Sequence, residues 1–150
     1  MNQEEATKVV EDLFNATREF LGYAIRKSGV RGDIEKISSL VSFVVNEIKM
    51  RSFFLGEFVT PTESTPNGEI RLYLDAIIDY ASFLGVDYWS LLAKVLFCQI
   101  HHALTWESKG GFNFEKSEKF SSKVCKKLHK QGIISDIRIK FYMGENEKLG

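Results

Sequence analysis

One predicted helix, which starts after Asp87 and runs to about Glu107, limits the folds open to this chain. Its apolar side chains, which cover nearly the whole circumference, are Trp89, Leu91, Leu92, Val95, Leu96, Phe97, Ile100 and Leu104. A helix that is apolar all round has to be covered on every side by other elements. The sequence therefore predicts that this helix is the centre of the core, with Asp87 as its N-terminal cap.

Four further helices are predicted around it from apolar residues at three- and four-residue steps. The first spans residues 3–28 and ends at Gly29, and the second begins at Asp33. The apolar stripe of the second helix consists of Ile34, Ile37, Val41, Val44 and Ile48. Because the connection between these two helices is short, we expect an antiparallel helical hairpin. The remaining two helices run from about Glu69 to Leu84 and from about Glu115 to Lys130.

A small amount of β structure is also predicted. The candidate strands are the apolar segments 53–59 and 111–114 and the alternating segment 137–143. Residues 60–68 contain both prolines and a Pro-Asn-Gly turn signal, so they are predicted to form a loop. The expected fold class is mainly α, a helical bundle with a small β element near the C-terminus. We expect one domain over residues 1–150, with sub-lobes 1–52, the hairpin, and 69–150.

Charge is distributed unevenly along this electrically neutral chain. Residues 1–52 have a net charge of 0, residues 53–107 of −5 and residues 108–150 of +5. Segregated positive charge is typical of surfaces that meet a polyanion. The C-terminal third is therefore the predicted contact surface for any nucleic acid.

The predicted helix at residues 115–130 carries most of that positive charge. Lysines at three- and four-residue steps form one line along it, with a further lysine beside the line: Lys116, Lys119, Lys123, Lys126, Lys130 and Lys127. Phe120, Val124 and Leu128 lie on the other face. Lysines this close repel one another, and phosphates that bind them release counterions. A solvated surface helix and contact with an acidic protein surface are the alternatives.

The order of elements resembles the second half of a winged helix-turn-helix domain. A long apolar helix, a short strand, a basic helix and a basic strand follow one another over roughly residues 88–143, and residues 128–133 match a leucine-x-x-x-glycine-isoleucine pattern. Residues 93–114 look like the first helix and strand of winged-helix domains in phage and plasmid replication proteins. The resemblance implies DNA binding, with the basic helix in the major groove and the strand as the wing. It assigns contacts to Lys119, Ser122, Lys123, Lys126, Lys127, Arg138 and Lys140.

The cysteines and histidines allow a zinc site as an alternative. Cys98 and His102, and likewise Cys125 and His129, are pairs four residues apart on predicted helices, and two facing pairs would give tetrahedral ligands. The simpler interpretation is that the cysteines are reduced core residues and that the histidines, including His101, lie near the surface. Under that interpretation no cofactor or metal is needed.

Catalysis is not expected from the sequence. It contains no glycine-rich phosphate loop, no nucleophile elbow and no His-Glu-x-x-His motif. We therefore expect a non-enzymatic nucleic-acid-binding protein, a DNA-binding regulator or replication accessory, with duplex DNA favoured and RNA possible as the partner. The alternative is a helical protein-protein interaction subunit of a larger complex. A homodimer through the N-terminal hairpin, a cytoplasmic location and no membrane contact are further expectations.

Overall fold

The computed structural model describes residues 2–44, 55–111 and 113–135. Within these ranges the chain is mainly helical with a small sheet, as predicted. The sheet is formed by strands between residues 41 and 73, however, and not near the C-terminus where the β element was expected. The elements in chain order are α1 (Gln3–Thr17), α2 (Leu21–Lys27), α3 (Ile34–Ser38), β1 (Val41–Val44), β2 (Gly56–Val59), β3 (Glu69–Tyr73), α4 (Leu74–Leu84), α5 (Tyr88–Lys109) and α6 (Phe114–Lys130).

Helix α5 is the centre of the core, which confirms the prediction from its apolar circumference. Every residue from Ser90 to Thr105 is buried. The side chain of Asp87 caps the helix by accepting the backbone N–H of Ser90 at 3.3 Å. Helix α6 packs along α5, and the sheet, α4 and α1 also pack against α5. Among the described residues, no helix combines the length and the apolar character that crossing a membrane requires.

The predicted first helix is divided into α1 and α2 by residues 18–20. Thr17, which is fully buried, donates its hydroxyl to the carbonyls of Leu13 at 2.9 Å and Phe14 at 3.1 Å. Such bonds to the preceding turn compete with the helical ladder and bend the chain. The bend lets the apolar residues of α1 and of α2 both face the core.

The predicted second helix is wrong beyond Ser38. Asp33 caps α3 as expected, by accepting the N–H of Glu35, but Val41–Val44 forms β1. This segment is rich in β-branched and aromatic residues, which favour a strand when a partner strand is available. The second helix of the hairpin predicted for residues 1–52 is therefore wrong at residues 41–44, where the chain forms a strand instead. Residues 45–52 lie outside the described part of the chain.

The predicted third helix starts five residues later than expected, at Leu74, because Glu69–Tyr73 forms β3. Ile70 and Leu72 alternate with polar residues and are completely buried. On the opposite face, the Arg71 guanidinium lies 3.3 Å from the carboxylate of Glu69 and 3.6 Å from that of Glu57. The two-residue alternation therefore decides the structure here over the spacing of Ile70 and Leu74.

The sheet has the strand order β1-β3-β2. Strand β3 pairs in parallel with β1, Val41 opposite Ile70, and antiparallel with β2, Phe58 opposite Ile70. The predicted loop at residues 60–68 joins β2 to β3, and β2 confirms part of the strand expected at 53–59. The strand expected at 111–114 is wrong, because Asn113 caps α6 and Phe114 begins it. The strand expected at 137–143 lies outside the described residues.

Candidate nucleic-acid interface

Helix α6 carries the candidate site and is fixed at both ends. The Asn113 side chain accepts the backbone N–H of Lys116 at 3.0 Å, and Gly132, with φ 75°, follows the last turn. Its buried face consists of Ser117, Phe120, Ser121, Val124, Cys125 and Leu128. The two serines on this face are small enough to let α6 approach α5 closely. The opposite face is consequently fixed in position toward solvent.

All six lysines predicted as phosphate contacts on α6 are exposed: Lys116, Lys119, Lys123, Lys126, Lys127 and Lys130. They do not project from an isolated helix, because α2 lies beside α6. A groove of about 520 Å³ runs between the two helices. The six lysines line this groove together with Lys27 of α2, and no carboxylate occurs among its described lining residues. The sequence-predicted lysines are thus brought together on one concave surface.

Aromatic and aliphatic side chains form the floor and wall of this lysine groove. Phe20, Ala24, Phe120 and Val124 contribute apolar surface, and Tyr23 is 58% exposed beside them. The Lys127 ammonium lies 4.9 Å from the centre of the Phe20 ring, and the Lys27 ammonium 5.8 Å from that of Tyr23. Both are cation–π distances, so aromatic faces and positive charge occur side by side.

Sequence reasoning missed the contribution of α2. Tyr23 and Lys27 are separated by one helical turn, and both lie on the polar face of the predicted first helix. This spacing was the only sequence feature that could have pointed to their shared role in the groove. Their position opposite α6 depends on the bend at residues 18–20 and on tertiary packing. Neither feature can be derived from the spacing of apolar residues alone.

Ser122, another predicted contact, lies outside the groove. Its hydroxyl contacts the Lys94 ammonium, which is 3.1 Å from the carboxylate of Glu118. Lys94 is only 4% exposed, so its charge needs these partners. Glu118 is one of the two glutamates on α6, and its ion pair with Lys94 directs its charge away from the lysine groove. The predicted contacts Arg138 and Lys140 lie outside the described residues.

His101 lies beneath the groove. It is 2% exposed, its ring centre is 4.9 Å from that of Phe120, and its Nδ1 is 2.8 Å from the Ser117 hydroxyl. Burial, together with the charges of Lys109 and Lys116, lowers the pKa of His101 to about 4. The prediction of surface histidines is therefore wrong for His101, whose ring is neutral near pH 7.

The two cysteine-histidine pairs do not assemble into the zinc site considered above. Cys98 and Cys125 are buried and form no disulfide, as the simpler interpretation predicted, and burial raises the pKa of the Cys125 thiol to about 11. The prediction of a surface position is also wrong for His102, which is buried with its Nδ1 2.9 Å from the Gln99 side-chain oxygen, whereas His129 is exposed as predicted. The described ranges contain no group of three or more His, Cys, Asp or Glu side chains that could hold a metal ion.

No protein-family model, curated protein or solved structure matches this chain. The winged-helix resemblance consequently stays a prediction. Of its elements, the structure describes the long helix α5 and the basic helix α6, whereas the wing strand lies outside the described residues. The lysine groove is the feature from which a function can be argued.

Proposed function

We propose that this chain is a non-enzymatic nucleic-acid-binding protein whose lysine groove holds the phosphates of one strand. The observation that carries the proposal is the convergence of seven lysines from α2 and α6 on one groove with an apolar, aromatic floor. Nucleic acid is the partner that supplies regularly spaced negative charge and flat apolar groups together.

The charge of the groove supports a polyanionic ligand. The described side chains that line it include no acidic residue, and Glu118 of α6 is paired with Lys94 on another side of the helix. Seven ammonium groups on one surface repel one another, and salt screens this repulsion only in part. A bound phosphate backbone removes the repulsion and releases the counterions that the backbone carried, which adds affinity.

The exposed ring of Tyr23 favours a single strand over a duplex. An exposed aromatic ring next to the lysines, Tyr23, offers a stacking surface that only an unpaired base can reach. In the winged-helix prediction α6 would instead enter the major groove of duplex DNA, with the same lysines on phosphates. The two modes use one set of lysines and differ in the role of Tyr23, so they can be separated by experiment.

The groove is lined by residues of a single chain, so binding in it needs only one copy. In the N-terminal segment that was expected to form a dimerising hairpin, Val10, Leu13 and Ile37 are buried in the core of the chain itself. The homodimer stays a prediction. Two buried cysteines without a disulfide fit a reducing compartment, and on that ground we propose a cytoplasmic location.

Charge reversal tests the proposal. We expect Lys119→Glu, Lys123→Glu and Lys126→Glu together to abolish binding of a short fluorescent oligothymidine strand, measured by fluorescence anisotropy. The melting temperature should change little, because these side chains are exposed and surface charges contribute little to folding. Duplex DNA and single-stranded RNA of matched length, measured in the same series, rank the three classes of nucleic acid.

A matched control reverses the same number of charges elsewhere. Lys8, Arg18 and Arg31 are exposed and do not line the groove. The variant with all three changed to Glu should keep most of the affinity for the strand. If both triple variants lose binding equally, only net charge matters and the groove is not the site. If the wild-type protein binds no nucleic acid at low salt, the proposed function is wrong.

A further inference from the structure

A second, smaller cavity lies at one end of the lysine groove. It is formed where the end of α2, the end of α5 and the beginning of α6 meet, and it has a volume of about 190 Å³. Ser28, His101 and Lys116 line both this cavity and the groove, so the two are continuous. Lys109 lines the small cavity alone. We call this cavity the end pocket.

A buried nitrogen without a hydrogen-bond partner belongs to a residue that lines the end pocket. His101 Nδ1 lies 2.8 Å from the Ser117 hydroxyl and 3.4 Å from that of Thr105, but its Nε2 has no hydrogen-bond partner. The residue is 98% buried and is among the residues that line both cavities. A buried polar atom left unpaired is costly, and such atoms in native proteins call for a ligand or another explanation.

Positive charge surrounds this nitrogen. The ammonium groups of Lys109 and Lys116 are close enough to act on the charge of His101. The pocket also adjoins the N-terminus of α6, a helix of 17 residues whose first backbone N–H groups favour an anion. No carboxylate is present among the described residues that line the pocket. A small anion fits this combination of donors and charges.

The pocket is large enough for a small anion. Its volume equals that of about six water molecules at roughly 30 Å³ each. This space admits a phosphate group with its oxygens. An end of a nucleic-acid strand that lies in the groove would meet the pocket at Lys116.

We propose that the end pocket binds a phosphate monoester, the terminal phosphate of the strand that the lysine groove holds. Lys109 and Lys116 supply charge to the phosphate oxygens, and His101 Nε2–H donates to one of them. The identity of this ligand rests on the proposed function, whereas the affinity of the pocket for phosphate can be measured without any nucleic acid.

The first experiment uses inorganic phosphate as the probe on the full chain. We expect the nitrogen resonance of His101 Nε2 to shift on titration with phosphate, in nitrogen-15 NMR spectra of the histidine rings. Sodium chloride of equal ionic strength should leave that resonance in place. Lys109→Gln should weaken the phosphate response, and because Lys109 is exposed this variant should fold normally.

The second experiment compares three strands of one sequence with a 5′-phosphate, a 3′-phosphate or hydroxyls at both ends. The two phosphorylated strands carry equal charge, so a preference for one end reports a site. We expect one of them to bind roughly tenfold more tightly than the others, as charge-assisted hydrogen bonds would give. Lys109→Gln should remove this preference, whereas Lys130→Gln, which lines only the groove, should weaken all three strands and keep it.

The outcomes separate this inference from the proposed function. Strands that bind with no end preference, with no shift of His101 in phosphate, overturn the end pocket and leave the groove intact. If the His101 resonance shifts in phosphate but no strand binds, the pocket is a phosphate site. The phosphate it binds is then not that of a nucleic acid, and the proposed function is wrong. If the 5′-phosphate and the 3′-phosphate raise the affinity equally, the gain comes from the added charge alone, and the end pocket is not a specific site.

Discussion

At the scale of single residues, Tyr23 distinguishes a groove built for bases from a merely basic surface. The ring is more than half exposed although its neighbours Phe20 and Ala24 pack toward α6. A tyrosine face beside a lysine can stack on a base while the ammonium meets the adjacent phosphate. Phosphate contacts alone would not require this ring.

Removal of the Tyr23 ring tests the stacking role. We expect Tyr23→Ala to weaken single-strand binding about tenfold and to leave duplex binding nearly unchanged, since each stacked base contributes about 1 to 3 kcal/mol. Fluorescence anisotropy with both substrates measures the difference. The matched control is Phe83→Ala, because Phe83 is 82% exposed and lies outside the groove. Equal losses for single-strand and duplex binding in Tyr23→Ala would contradict stacking.

The two buried histidines give the fold a dependence on pH. Burial is the main cause that lowers the pKa of His101 and of His102 to about 4, below the value of about 6.5 in an unfolded chain. The unfolded state therefore binds more protons between these values, and stability is lost as the pH falls through them. Above the pKa of the unfolded chain both rings are neutral in the folded and in the unfolded state, so their protonation does not change the free energy of unfolding.

We expect the free energy of unfolding to decrease by roughly 2 kcal/mol per buried histidine between about pH 7 and about pH 5. Urea denaturation at the two pH values measures it. His129→Gln should keep the full decrease, because His129 is exposed. A free energy of unfolding that is constant over this range would show that His101 and His102 are accessible to protons in the folded protein.

At the scale of elements, the hairpin formed by β2 and β3 depends on Gly68. This residue has φ 83°, and a Cβ placed on it would lie 2.8 Å from the carbonyl oxygen of Val59. Gly85, which ends α4 with φ 71°, has open space around it instead. The two glycines therefore separate the cost of a positive φ from the cost of a backbone clash.

We expect Gly85→Ala to lower the free energy of unfolding by about 1 kcal/mol and Gly68→Ala to lower it by about 2 to 4 kcal/mol, because only the second adds a clash to the strain. Chemical denaturation of the two variants measures both values. If Gly68→Ala is the milder change, a Cβ at residue 68 does not clash with the Val59 carbonyl, and the turn at residues 60–68 has a different geometry.

Elements could be predicted from the sequence where one periodicity was present without competition. Helix α5 is apolar all round and α6 is amphipathic at a helical period over its whole length, so both were placed within a few residues. Helical spacing also occurs in segments that form strands. Val41 and Val44 are three residues apart but both lie in β1, and Ile70, four residues before Leu74, lies in β3. Pairing between distant strands decided these segments, and that pairing is not a local property of the sequence.

The candidate site followed the same division. Its lysines on α6 could be predicted because they form a line on one helix, and all six are exposed. The second wall of the groove could not be predicted, because Tyr23 and Lys27 reach the groove only through the packing of α2 against α6. His101 was missed for the same reason, since a histidine on an apolar helix gives no sign of which element covers it.

At the scale of the whole molecule, a chain with no net charge presents a strongly basic groove. The apolar helix α5 organises this arrangement, because α6 covers one side of it and holds the buried Lys94 in an ion pair with Glu118. The lysines of α6 are left to face α2 and solvent. Segregation of charge on the surface thus follows from the way the core is covered.

The salt dependence of single-strand binding tests the central claim most directly. If the seven lysines contact phosphates, the logarithm of the association constant should fall with the logarithm of the salt concentration with a slope of about −4 to −5. Neutralisation by Lys119→Gln, Lys123→Gln and Lys126→Gln together should reduce the magnitude of this slope by about 2. A slope near zero, or an unchanged slope in the neutralised variant, would contradict phosphate binding in the lysine groove.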